Sequence, residues 1–159
     1  MVSPLRRFLS VRVMGSLALL CAAGCFSTGP TELLEAEQLH GEGRHDEAIA
    51  AYQEHIANRL AVPDRPDWEN PHFYLLNVGD IELSRGNVER ALSAYEEAER
   101  EKVELPLVAD RYRAVASWYE EHGQLEQALE ILTKYRERDP LIFDSMLDRV
   151  ARELTETER

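Results

Sequence analysis

Residues 109–142 read ADRYRAVASWYEEHGQLEQALEILTKYRERDPLI, and their apolar spacing decides the fold. Tyr112, Val115, Ala116 and Tyr119 recur at steps of three, one and three, which places them on one face of a helix. Gly123 interrupts that periodicity. Leu125, Ala128, Leu129, Leu132 and Tyr135 then resume it, and Pro140 ends it. Two helices joined by a glycine turn make a helical hairpin. The same phrase is written twice more upstream, as Gly86, Ala91, Tyr95 and as Gly43, Ala48, Tyr52. The three alanines lie 43 and 37 residues apart, periods characteristic of stacked helix pairs. Such units build an elongated surface for holding partners rather than a catalytic pocket.

Working outward, periodicity predicts seven helices, over 31–40, 46–60, 72–84, 88–102, 107–121, 125–138 and 141–155. No alternating strand pattern competes, so the fold class is all-α. Two antiparallel helices approach closely only where small residues face each other. Ala36, Gly79 and Ala116 on the first helices are therefore paired with Ala48, Ala91 and Ala128 on the second. The last helix carries Ile142, Phe143, Met146, Leu147, Val150 and Leu154 on one side and Asp144, Asp148, Arg149, Arg152 and Glu153 on the other. That pattern suits a helix capping the end of the stack, and also an amphipathic helix that binds a partner.

These residues resemble the tetratricopeptide repeat, whose pattern runs W-x2-L-G-x2-Y, then A-x3-F, then P. The unit at 109–142 matches best, with Tyr112, Val115, Ala116, Tyr119, Gly123, Ala128, Leu132 and Pro140 in register. The unit at 72–105 offers Leu75, Val78, Gly79, Gly86, Ala91, Tyr95 and Ala98, but has Glu82 in place of the tyrosine and Val103 in place of the proline. The unit at 29–62 keeps Ala36, Leu39, Gly43, Ala48 and Tyr52. The resemblance implies a short helical solenoid of three such units plus the capping helix, and a protein–protein interaction role. In that family the first helices line a groove, which implies Phe73, Leu76, Asn77, Asp80, Asp110, Arg113 and Ser117 as partner-binding residues. Packing against a neighbouring repeat is the competing role for Phe73 and Leu76. The carboxylate clamp of some family members needs basic residues where Asp110 and Ala114 stand here, so a receptor for C-terminal tails is not expected. The 43-residue spacing inserts nine extra residues around 62–71, with Pro63, Pro66, Trp68 and Pro71. Trp68 either packs back over the hairpin or serves as a docking anchor.

The N-terminus carries a second signal. Arg6, Arg7 and Arg12 precede an apolar run over 13–23 that is too short to cross a bilayer, which takes about 20 residues. This is the layout of a secretory signal peptide. Ala22, Ala23, Gly24 and Cys25 resemble the lipobox of bacterial lipoproteins, with Ala22 where leucine is usual. The resemblance implies residues 1–24 as signal peptide, Cys25 as the lipid attachment site carrying palmitate and diacylglycerol, residues 25–30 as a lipidated tether, and 31–157 as the repeat domain. Phe26 stands where aspartate would mark inner-membrane retention, which implies the outer membrane, facing the periplasm. Both cysteines, Cys21 and Cys25, lie in this segment, so the helical region has no disulfide.

Charge and motifs exclude other classes. The chain of 159 residues has a net charge of −12. Residues 25–159 carry three fewer positive charges, for −15, and no basic cluster, which argues against nucleic acid. No G-x-S-x-G, H-E-x-x-H or phosphate-binding glycine loop is present. His40, His45 and His55 fall in one unit without metal-ligand spacing, so no metal and no cofactor are expected. The sequence thus predicts a non-enzymatic, lipid-anchored scaffold that assists assembly or positioning of a protein or peptide partner in the bacterial cell envelope. The alternative is a structural or regulatory subunit acting through the 62–71 loop and the capping helix.

Overall fold

Gly43, Gly86 and Gly123 take φ of +76°, +77° and +69°, and each closes the turn between two helices. Glycine adopts this left-handed backbone without steric cost, which is why it ends the first helix of every hairpin. A computed structural model describes residues 31–157; the expected signal segment, Cys25 and the tether lie outside the described residues. The helices are α1 (Thr31–Gly41), α2 (His45–Leu60), α3 (Leu75–Ser84), α4 (Val88–Arg100), α5 (Leu105–Glu121), α6 (Leu125–Tyr135) and α7 (Pro140–Thr157), with 3-10 turns at Pro71–Tyr74 and Arg136–Arg138. Among the described residues there is no strand, and no helix is long and apolar enough to cross a membrane.

The boundaries differ from the sequence-based expectation where proline acts. The helix expected over 72–84 opens instead with the 3-10 turn, where Pro71 occupies the first position and the Asn70 side chain accepts from the His72 amide at 3.1 Å. α5 begins at Leu105 rather than 107, because Pro106 fits a first helical turn whose amides have no partner in any case. α6 ends at Tyr135 rather than 138, since Asp139 precedes Pro140 and is driven out of the helical region. α4 stops at Arg100, short of 102, with no proline beside it, and Lys102 takes a left-handed φ of +62°.

α1 packs on α2, α3 on α4, α5 on α6, and α7 against α6. The small residues are buried as paired: Ala36, Ala48, Ala91 and Ala128 have no exposure and Ala116 has 1%. Gly79 shows why size matters at these points, for a Cβ there would lie 2.2 Å from Tyr95 Cε1. The Tyr95 ring is fully buried, and its hydroxyl donates to Asp80 at 2.9 Å, so it is held at both ends. One apolar cluster runs from Ile56 of α2 through α3 to α7 and a second joins α1 and α2 to α3 and to Ala94 of α4, with Tyr74 packed against both. α7 seals the far end with Phe143 and Val150 fully buried, and Arg149 donates to Glu120 at 2.6 and 2.9 Å. Its apolar face is therefore committed to the stack.

Glu82, which departs from the repeat pattern, is 7% exposed. Asn87 donates to its carboxylate at 2.7 Å across the Gly86 turn, with Arg85 and Arg90 at 3.7 and 3.6 Å. A buried carboxylate is tolerable only when so satisfied. Behind it, three tyrosines from successive helices make a ladder. Tyr112 stacks on Tyr135 at 3.6 Å and meets Tyr95 edge-on at 6.4 Å. The Tyr112 hydroxyl donates to Glu99 at 2.8 Å and that of Tyr135 to Glu96 at 2.5 Å.

Burial, reinforced by these carboxylates, holds the Tyr95 and Tyr112 hydroxyls well above the usual tyrosine range and pushes Tyr135 up to about 12. An unfolded tyrosine ionises near pH ~10, so the folded state binds these protons more tightly. Their contribution is then complete below about pH 10 and is lost as pH rises toward 12. Urea unfolding measured across this range is expected to show constant stability up to about pH 10 and a steep decline beyond, with a fraction of the six tyrosines ionising only as the chain unfolds. All six titrating near their free value in a folded chain would contradict the ladder.

Candidate functional site

The insertion between the first and second hairpins is braced rather than loose. At its end, Arg59 from α2 donates through Nε and Nη2 to both Glu69 carboxylate oxygens at 2.6 Å each. These bonds hold the Glu69 carboxyl below its ordinary value of 4.5. The brace is therefore present above that value and lost as pH falls through the lowered one. Asn70 donates to the Glu101 backbone oxygen at 2.9 Å, tying the insertion to the end of α4. Two fixed points within two residues of Trp68 leave its backbone little freedom.

Trp68 does not fold back over the hairpin. It is 84% exposed, more than any other large hydrophobic residue described. Phe73 is 39% exposed and faces the same cleft, of about 370 Å³, together with Glu69, Asn70, Pro71, Tyr74 and Glu104. Its wall is backed in depth: Phe73 meets Tyr74 edge-on at 5.6 Å, and Tyr74 meets the buried His55 at 4.8 Å and Tyr52 at 6.2 Å. A second cleft of about 470 Å³ adjoins on the other side of Trp68, reaching Leu60, His72 and Lys102. Of the seven large hydrophobic side chains exposed among the described residues, Leu60, Val62, Trp68 and Phe73 belong to the insertion or the segments flanking it. Surface apolar residues gathered in this way mark interaction sites, whereas scattered ones do not.

The other residues expected to bind a partner have different surroundings. Leu76 is fully buried in the apolar cluster, so it packs against neighbouring repeats and offers no surface. Asn77 donates to the Tyr52 hydroxyl at 3.3 Å and so links α3 to α2. Asp80 accepts from Tyr95 and from Arg111 at 3.2 and 2.9 Å, joining α3 to α4 and α5. Asp110 is exposed and pairs with Arg113 one turn on, while Ser117 is half-buried on the same helix. Asn77 and Asp80 thus cross-link helices, Leu76 fills the core, and Asp110 and Arg113 pair within α5. Trp68 and Phe73 are the two that the fold brings together with apolar surface free.

Glu69, Asn70 and Tyr74 complete the cleft beside residues that the sequence singles out. Glu104 comes from the α4–α5 connection, and only the long-range tie from Asn70 to Glu101 brings it there. Nothing local in the sequence signals it. His40 and His45 lie with ring centres 5.4 Å apart, and His55 faces Glu32 at 3.9 Å. Among the described residues no three His, Cys, Asp or Glu side chains converge as metal ligands would.

A solved structure, the TPR2AB-domain:pHSP90-complex of yeast Sti1, is similar to this chain with a TM-score of 0.56 at 19% identity. The fold is a tetratricopeptide-repeat-like solenoid. The likeness covers 80% of this chain and 47% of the other, so the solenoid spans about half the length of that neighbour. No protein-family model matches the sequence, and no curated protein does. Within the solenoid the braced insertion sits between the first and second hairpins, and the Trp68 cleft opens on it.

Proposed function

We propose that this chain is a lipid-anchored protein–protein interaction scaffold of the bacterial cell envelope, which holds a partner at the Trp68–Phe73 cleft. The observation that carries this is an 84% exposed tryptophan on a segment pinned at Glu69 and Asn70. A segment whose backbone is already fixed loses little entropy on binding, and tryptophan is enriched among the residues that dominate interfaces. The solenoid supplies the rigid support, and the role is binding rather than catalysis. Action through the capping helix is less favoured, since its apolar face packs against α6.

The anchor is Cys25, at the outer membrane and facing the periplasm, supported by the basic stretch, short apolar run and small residues before it. One acyl chain, at about 0.8 kcal/mol per buried methylene, holds a protein only reversibly, whereas two or more hold it stably. In cells given labelled palmitate, the wild-type chain is expected to take up label and Cys25→Ser to take up none. Equal labelling would remove the anchor. A photocrosslinker at position 68 in intact cells is expected to give one discrete protein adduct, against none from position 130 on α6. Adducts of equal yield from both positions would remove the cleft as the binding surface.

A further inference from the structure

The cleft's chemistry indicates what kind of segment it receives. Trp68 and Phe73 present aromatic faces, and between them the floor is Pro71 and Tyr74. The charged groups on this cleft are two carboxylates, Glu69 and Glu104, with no lysine, arginine or histidine lining it. Glu69 is neutralised by Arg59, while the Glu104 side chain is exposed and bonded to nothing among the described residues. Asp67, beside the indole, is likewise exposed and unpaired. On the far side of Trp68 the adjoining cleft is lined by Asp67, Glu69, Glu101 and Glu104 together with Arg65, Lys102 and His72, and Glu101 lies 3.8 Å from His72, so carboxylates outnumber the lysine and arginine there four to two. All of this sits on a chain whose residues 25–159 carry −15.

We infer that the cleft binds an extended segment of a protein partner in which one large apolar side chain is flanked by arginine or lysine. This rests on the cleft being a docking surface, as proposed above. The apolar side chain enters between Trp68 and Phe73, and a flanking cation lies over the indole while bonding Glu104 or Asp67. Tryptophan is the best aromatic partner for a cation, and a free carboxylate beside it fixes the cation's position. The overall negative field adds to the encounter rate and makes binding sensitive to salt.

The test uses the purified full chain and three fluorescein-labelled peptides read by anisotropy. One carries a central leucine flanked by arginines, one the same leucine flanked by glutamates, and one the arginines around a central serine. The arginine–leucine peptide is expected to bind at least about tenfold more tightly than either other, and to weaken as salt rises from about 0.05 to about 0.5 M. Trp68→Ala is expected to weaken it about thirtyfold, the effect of an interface hot spot. Glu104→Gln with Asp67→Asn is expected to remove the preference for arginine while leaving the leucine contribution. Equal binding of the arginine and glutamate peptides would overturn the inference and leave the cleft as a docking surface. No binding of any peptide, with a crosslinked adduct from position 68 in cells, would do the same. Trp68-dependent attachment to phosphatidylcholine vesicles in place of peptide binding would show that the indole serves a membrane, and would overturn both.

Discussion

Gly79→Val is expected to destabilise the folded chain by about 3 kcal/mol, lowering the thermal midpoint by roughly 10 °C. A Cβ at this position would lie 2.2 to 2.7 Å from three atoms of the Tyr95 ring, well inside van der Waals contact. Overpacking is cheap only when the neighbour can move. Tyr95 cannot, because it is fully buried, hydrogen-bonded to Asp80 and set edge-on against Tyr112. The general preference of helices for other residues over glycine, at most about 1 kcal/mol, is smaller than this clash. Calorimetry on Gly79→Ala, Tyr95→Leu and the double variant separates the cause. The double variant should be more stable than the sum of the two single losses predicts, by about 1 kcal/mol or more, since the smaller side chain at 95 makes room for the new methyl. Strict additivity would mean that Gly79 is not where α3 and α4 meet.

Tyr112→Ala is expected to cost about 3 to 5 kcal/mol, the range for removing a large buried aromatic, and to leave part of the chain unfolded at 37 °C. Tyr112 is at the centre of the ladder, stacked on Tyr135 and edge-on to Tyr95, with its hydroxyl on Glu99. Its removal opens a cavity shared by three helices and also strips a partner from Glu99. Tyr112→Phe keeps the stack and loses the hydroxyl, so about 1 kcal/mol is expected. Urea denaturation of both variants gives the comparison. Losses of equal size would place the stabilisation in the hydrogen bond rather than in the packing.

The fold was legible because its determinants are local. Gly43, Gly86 and Gly123 mark the turns, and the small residues at 36, 48, 79, 91, 116 and 128 mark the helix contacts, each readable from spacing alone. The candidate site was legible in part. The nine-residue excess and its prolines identify the insertion, but whether Trp68 points outward depends on Arg59 and the end of α4. Those ties join residues that are distant in the chain, and no local pattern encodes them. The groove positions were legible to the same extent. Leu76 is on the expected helix, yet the face it occupies is set by how α3 and α4 nest, and that buries it. Asn77 and Asp80 are polar and on the expected face, but their partners Tyr52, Tyr95 and Arg111 come from three other helices.

Docking at the cleft depends on an indole held out into water by a fixed backbone. The full chain has two tryptophans, Trp68 and Trp118, so Trp118→Phe leaves Trp68 as the sole reporter. Its fluorescence is expected to match that of free tryptophan in water in wavelength and in quenching by acrylamide. Its anisotropy decay should nevertheless follow the tumbling of the whole protein, and Arg59→Ala should release it into fast local motion. A blue-shifted, quencher-resistant emission would show Trp68 packed against the hairpin and leave the cleft without its docking indole.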